Sequence, residues 1–329
     1  MRLLKLVPDN TNIHFLRWRV PFYIISCLLI AASWGLVLTK GLNYGIDFAG
    51  GQEIQATFTK HSEAPVTDLR ELVGGLGYGE PVIQRFGAAN EVSIRTKLPA
   101  ETEGNAVDAA QKAKQVVTSA ITKAYPDARI DGASTVSGKV SGEFRTMAIW
   151  ALGAAMAAIS VYIWIRFEWQ FGVGALFALF HDVSLTLGMF ALFQMEFSLQ
   201  IIAAILAIIG YSLNDTIVVY DRIREDLKKY RKMPLPELLD MSVNETLART
   251  VMTSATLLIA LIPLLAFGPE SLFGLVAAIT VGIFVGTYSS IYMAAPILIW
   301  LGVSGESFVP QESEIDRQER LARERAAKP

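Results

Sequence analysis

The chain has 329 residues, 52% of them hydrophobic and 18% charged, with a mean hydropathy of +0.39. That balance is too apolar for a soluble enzyme and too mixed for membrane spans alone, so both kinds of material are present. The net charge of −2 says nothing about partners because the charges are segregated along the chain. A single cysteine, Cys27, excludes a disulfide framework and a cysteine metal site.

Residues 1–19 carry Arg2, Lys5, Arg17 and Arg19 against one acid, Asp9, and are expected to stay in the cytoplasm. Val20–Thr39 is the first apolar run; it is longer than a signal-peptide core, which predicts an uncleaved span at 20–39. Residues 40–143 change character: charge, glycine and proline return and no run is long enough to span. Gln52–Thr59 and Glu91–Lys97 alternate as strands do. Thr67–Leu76 and Ala106–Tyr125 have helical spacing, the second through Val107, Ala110, Ala113, Val117 and Ile121. We expect one small α+β extracytoplasmic (periplasmic) domain, two helices packed on one sheet.

Five further apolar runs predict spans at 146–165, 171–193, 199–221, 247–267 and 271–301, six with the first. Arg166 follows the second span, and Arg222, Arg224, Lys228, Lys229, Arg231 and Lys232 follow the fourth, in a 222–246 loop. The opposite links, Gln194–Gln200 and Gly268–Ser271, contain no Lys or Arg. Both termini are therefore expected in the cytoplasm, with a charged tail at 302–329.

The spans contain polar groups that are hard to hide. Asp215 lies seven residues before Arg222, so at 1.5 Å per residue it is roughly 10 Å inside the basic end. A carboxylate that deep costs ~2.5 to 3.5 kcal/mol, so it is kept neutral, paired, or facing a wet interior. Asn214, Thr216, Tyr211 and Ser212 surround it in sequence. His181 and Asp182 stand near the middle of the third span, and Arg249 stands one turn inside the basic end of the fifth. Each has a bland alternative: Arg249 snorkels to the interface, and His181 with Asp182 forms a satisfied pair that holds helices together. Moving one charge across the membrane releases ~2.3 kcal/mol per 100 mV, similar to the cost of an ionised carboxylate there, so Asp215 has the energetics of a proton carrier, with a basic partner such as Arg249.

Small residues mark packing seams on the fourth span (Ala203, Ala204, Ala207, Gly210) and on the sixth (Ala278, Gly282, Gly286, Ser289, Ser290). Gly45-Ile46-Asp47-Phe48-Ala49-Gly50-Gly51 reads as a tight turn leading into a strand. Gly74 to Gly79 is glycine-rich but lacks the Lys-Ser/Thr of a phosphate loop, so nucleotide binding is rejected. His14, His61 and His181 fall in three compartments, which argues against a metal site. No cofactor and no nucleic-acid partner are expected.

Gly45–Gly51 after the first span, His181-Asp182-Val183, Gly210 to Thr216 with Asp221-Arg222-Ile223-Arg224, and Arg249-Thr250 followed by Thr253-Ser254 occur in that order. In these motifs the chain resembles the SecD/SecF family of bacterial protein-export membrane proteins, within the resistance-nodulation-division superfamily. The resemblance covers nearly the whole chain and implies a membrane all-α six-helix bundle, half of a resistance-nodulation-division transporter. It implies a non-enzymatic subunit in the inner membrane that uses the proton-motive force to promote protein export. It also implies SecD, the SecYEG channel, YajC, YidC, protons and exported unfolded polypeptide as partners, and proton transport at Asp215 and Arg249. Competing readings are a proton-driven efflux or lipid transporter, a non-conducting scaffold subunit, and an intramembrane aspartyl protease. Against the last, no Gly-x-Gly-Asp occurs and Asp221 sits at the edge of its span beside Arg222.

Overall fold

The structure is a computed structural model that describes residues 7–8, 11–85, 87–98 and 106–303; side chains are described over the same residues except 106–110 and 270. The tail, Arg2, Lys5, Asp9, and the side chains of Val107 and Ala110 lie outside that range. A 3-10 turn, Phe15–Trp18, leads into α1 (Arg19–Thr39). The α+β domain follows: β1 (Asn43–Tyr44), α2 (Ile46–Ala49), β2 (Gly51–Phe58), α3 (Val66–Gly74), β3 (Val82–Arg85), β4 (Glu91–Thr96), α4 (Ala106–Ala124) and β5 (Ala128–Val136).

The sheet order is β3-β4-β2-β5 with every pairing antiparallel. Alternation in β2 sends Ile54, Ala56 and Phe58 into a core with Val92 and Ile94 of β4. Leu69 and Val73 of α3 and Val117 and Ile121 of α4 cover that face, as helical spacing requires. Strands β3 and β5 carry no recognisable signal because they are edge strands whose residues are mostly half-exposed.

Among the described residues six helices are long and apolar enough to cross a membrane: the Phe15–Thr39 segment, α5 (Gly138–Arg166), α6 (Trp169–Phe193), α7 (Leu199–Lys229), α8 (Leu235–Phe267) and the Ser271–Trp300 segment. Between α6 and α7 a two-residue strand, β6 (Glu196–Phe197), pairs in parallel with β1. The last segment is not one helix: α9 (Glu270–Ser289) passes through a π turn, Ser290–Ala294, into α10 (Ala295–Trp300). Two tyrosines bond carbonyls of this turn: Tyr23 donates to Met293 O at 2.6 Å and Tyr220 to Ala294 O at 3.0 Å.

Three sequence expectations change. The 222–246 stretch, read as a loop, is helical except near 230–234, because α7 runs on through Arg222–Asp226 pairing and α8 starts at Leu235. The Gly45–Gly51 turn contains a full helical turn, α2, before two glycines with positive φ open β2. In the third change, the α7 stripe Ala203, Ala207 and Gly210 is exposed, with open space around Gly210, and only Ala204 packs inward. On the sixth segment the small residues do form a seam, since a side chain at Gly282 would strike Ile208 and one at Gly286 would meet Ser212. Half of each apolar window of α6 and α7 is buried, against 11% for α5 and α8, so α6 and α7 are the centre of the bundle.

Candidate functional site

Asp215 sits on α7, 2% exposed, and its Oδ2 is buried with no hydrogen-bond partner among the described residues. Its sequence neighbours diverge around the helix. Tyr211, one turn before it, bonds the Ser254 hydroxyl of α8 at 2.7 Å, and Ser254 bonds Thr287 of α9 at 2.7 Å. Thr216 bonds Ser290 at the π turn at 3.1 Å. Asn214 points outward, on the same face as the exposed stripe of Ala203, Ala207 and Gly210. The carboxyl thus lies beside a face of α7 that no other described residue covers.

Asp182 is built differently. It is 1% exposed and all its acceptors are in use: His181 Nδ1 reaches Oδ1 at 2.8 Å, while Ser212 and Ser289 donate to Oδ2 at 2.5 and 2.8 Å. One carboxylate therefore ties α6, α7 and α9 together. His181 Nδ1 carries the proton that a carboxylate oxygen accepts, leaving Nε2 buried without a partner beside the Tyr288 ring. Ser212 and Asp215 are three residues apart on α7, so the two acids lie about one turn apart along the axis.

Arg249 is exposed and makes no ion pair among the described residues, Asp215 included. It lines a cleft of about 660 Å³ at the charged ends of α5, α7 and α8, with Arg166, Val218, Asp221, Arg222 and Glu245. Val218, in its lining, follows Asp215 by three residues on α7, whereas Asp215 itself does not line the cleft. Arg166 pairs with Asp221 at 2.7 Å, and Arg222 bridges Glu225, Asp226 and Glu245, fastening α7 to α5 and α8.

At the other end of α7 the Gly45–Gly51 segment forms a joint. Asp47 Oδ2 accepts from the Leu199 N–H at 2.9 Å, Arg145 of α5 donates to Phe48 O at 2.9 Å, and Phe48 packs on Phe197. The Glu196 carboxylate lies over the Gly45 α-carbon, and Gly51 is required because its φ is positive and a side chain there would enter the Thr96 carbonyl. Burial holds the Glu196 carboxyl above its ordinary value, helped by Glu53 and Asp47 and opposed by Arg95. A raised folded-state value means that the proton stabilises the joint at low pH, and that this stabilisation is lost as pH rises from the ordinary carboxylate value through the raised one. Amide protection at 43–51 and 195–199, taken relative to the intrinsic exchange rate at each pH, should therefore rise on mild acidification, and Glu196→Gln should keep the high protection at neutral pH. Protection in the variant that still changes with pH would assign the response elsewhere.

Sequence reasoning missed Thr287, and it took Ser254 only as part of a motif and Ser289 only as packing, although their hydroxyls line this centre. Nothing in the sequence separates them from the many span hydroxyls that only bond their own preceding turn, as Thr256 does with Met252 O. Among the described residues no cluster of three or more His, Cys, Asp or Glu could hold a metal.

Comparison with known proteins bears on the whole arrangement. Residues 116–304 match the family model described as protein export membrane protein SecD/SecF, C-terminal, and residues 35–60 match the SecD/SecF GG motif. A protein translocase subunit SecF from Cereibacter sphaeroides is 45% identical over 91% of this chain and 93% of its own length, and one from Rickettsia bellii is 39% identical over 90% and 95%. The crystal structure of SecDF from Thermus thermophilus, a translocon-associated membrane protein, superposes with a TM-score of 0.79 at 35% identity. That likeness covers 89% of this chain but 39% of the SecDF chain; a second SecDF structure, in a super-membrane-facing form, gives 0.64 over 100% and 42%. By its motifs, its six apolar helices and these likenesses, the chain belongs to the SecD/SecF family of protein-export membrane proteins.

Proposed function

We propose that the chain is one half of a two-part, proton-driven accessory to the Sec translocase of the bacterial inner membrane, with a SecD-like subunit as the other half. The observation that carries this reading is the placement of Asp215. Its Oδ2 is buried without a hydrogen-bond partner among the described residues, beside an outward stripe of Ala203, Ala207, Gly210 and Asn214 that admits the close approach of another helix. A chain matching 39% of a SecDF molecule leaves room for the half that would supply that helix. Asp182, with both oxygens bonded, acts as a brace; Asp215 is the group free to exchange a proton, and Arg249, in the cleft at the charged end of α7, is its cation. The termini lie in the cytoplasm and the α+β domain outside, a reading supported by the placement of Lys and Arg in the links. There the domain meets unfolded polypeptide leaving SecYEG, with YajC and YidC as further neighbours.

Taken up in mild detergent, the intact chain should bring a SecD-like subunit with it. Protein export into membrane vesicles lacking the chain should lose its response to a proton gradient and regain it on adding the chain back. A chain recovered alone, or export whose gradient dependence does not change, overturns the reading.

A further inference from the structure

Helix α7 begins without help from its own neighbours. Ser198 stands at the N-cap with extended backbone, φ −111° and ψ 178°, yet its side chain makes no capping hydrogen bond, although serine is among the residues that usually do so. The acceptor is Asp47 instead, taken from 152 positions earlier in the chain.

Asp47 belongs to a segment held from every side. Its helical turn, α2, continues directly into β2, which has neighbours on both edges within the sheet. Gly45 N–H donates to Phe197 O at 3.0 Å, β1 pairs with β6, and Arg145 of α5 holds Phe48 O. From Leu199 to Asp215 α7 is an unbroken helix of sixteen steps, roughly 24 Å. Along this line a rigid helix, one capping bond and one central strand connect the buried acid to the α+β domain.

We propose that Asp47 is a positioning residue: by capping α7 it keeps the α+β domain in step with the helix that bears Asp215, so that a displacement of α7 is delivered to the domain. This rests on the proton-coupled reading above. The bond can be removed from either side. Asp47→Ala takes away the acceptor. Leu199→Pro takes away the N–H at a first helical position where proline is well accommodated, after a residue already in the extended backbone that proline demands.

The test uses vesicles containing the complete membrane complex and reads export with a proton gradient divided by export without one. Asp47→Ala and Leu199→Pro are each expected to lower that ratio several-fold while gradient-free export and recovery of the SecD-like subunit hold. The double variant should fall no further than either single one, since both remove the same bond. Asp47→Asn, which keeps an acceptor oxygen, should restore the ratio. Wild-type stimulation in Asp47→Ala, additive losses in the double variant, or an Asp47→Asn as low as Asp47→Ala each overturn the proposal. Should Asp47→Ala not accumulate, Leu199→Pro decides alone; should neither accumulate, Asp47 is a folding residue only and the proposal fails. Asp215→Asn run alongside separates the two ideas. If it keeps full stimulation, the proton reading has failed; if it loses stimulation while Asp47→Ala keeps it, only the link has failed.

Discussion

Asp215→Asn is expected to bring gradient-stimulated export down to the gradient-free level while leaving the amount of chain in the membrane unchanged. Asparagine has nearly the same shape, and the Asp215 Oδ2 it replaces has no hydrogen-bond partner to lose. It also removes the ~2.5 to 3.5 kcal/mol cost of a charge at that depth, so folding has no reason to suffer. What disappears is the ability to take and release a proton. Each proton moved down a 100 mV gradient supplies ~2.3 kcal/mol, about fifty-fold in an equilibrium constant, and a subunit that cannot carry one forfeits that factor. Asp215→Glu keeps the carboxyl and should retain part of the stimulation. Export in Asp215→Asn that still rises with the gradient as in the wild type would remove this residue from the energetics.

Asp182→Ala should behave in the opposite way, damaging the bundle first. Three side chains, His181, Ser212 and Ser289, lose their common acceptor in a site that is 0–1% exposed. A buried donor left without a partner costs about 1–3 kcal/mol, so even partial relaxation leaves a loss of several kcal/mol. Ser289 has a fallback in the Gly286 carbonyl at 3.1 Å, whereas for His181 and Ser212 no second acceptor appears among the described residues. Asp182→Asn keeps one acceptor oxygen and should recover part of the loss. Thermal unfolding in detergent reads the difference: a midpoint unchanged in Asp182→Ala would show that the three donors are satisfied some other way and that Asp182 is not the brace.

The contrast between these two acids was only half legible in the sequence. Both stand out because a carboxyl inside a long apolar run is costly wherever it points. Which of them is saturated depends on Ser212 and Ser289, brought to Asp182 from 30 and 107 positions away. Periodicity showed that Ala203, Ala207 and Gly210 share one face of α7 but not what stands opposite, and a seam that faces out of the chain looks the same in sequence as one that faces in. The sheet domain was readable where apolar residues alternate, as in Ile54, Ala56 and Phe58, and silent in β5, whose Asp131, Gly132 and Ser134 carry no such pattern. Asp47 illustrates the limit: an acid between glycines signals a turn, and only the folded chain reveals that its oxygen serves a helix start on the far side of two spans.

The surplus residue near the end of the last span has a geometric effect of its own. A regular helix advances about 100° with every residue, so accommodating one extra within a turn swings everything downstream by that angle. Downstream of it Leu298 is fully enclosed while Trp300 lies 60% open. Excising any single residue between 290 and 294 would straighten the thread, and in doing so would turn Leu298 out of its socket and break the alignment of Tyr23 and Tyr220 with the backbone of that turn.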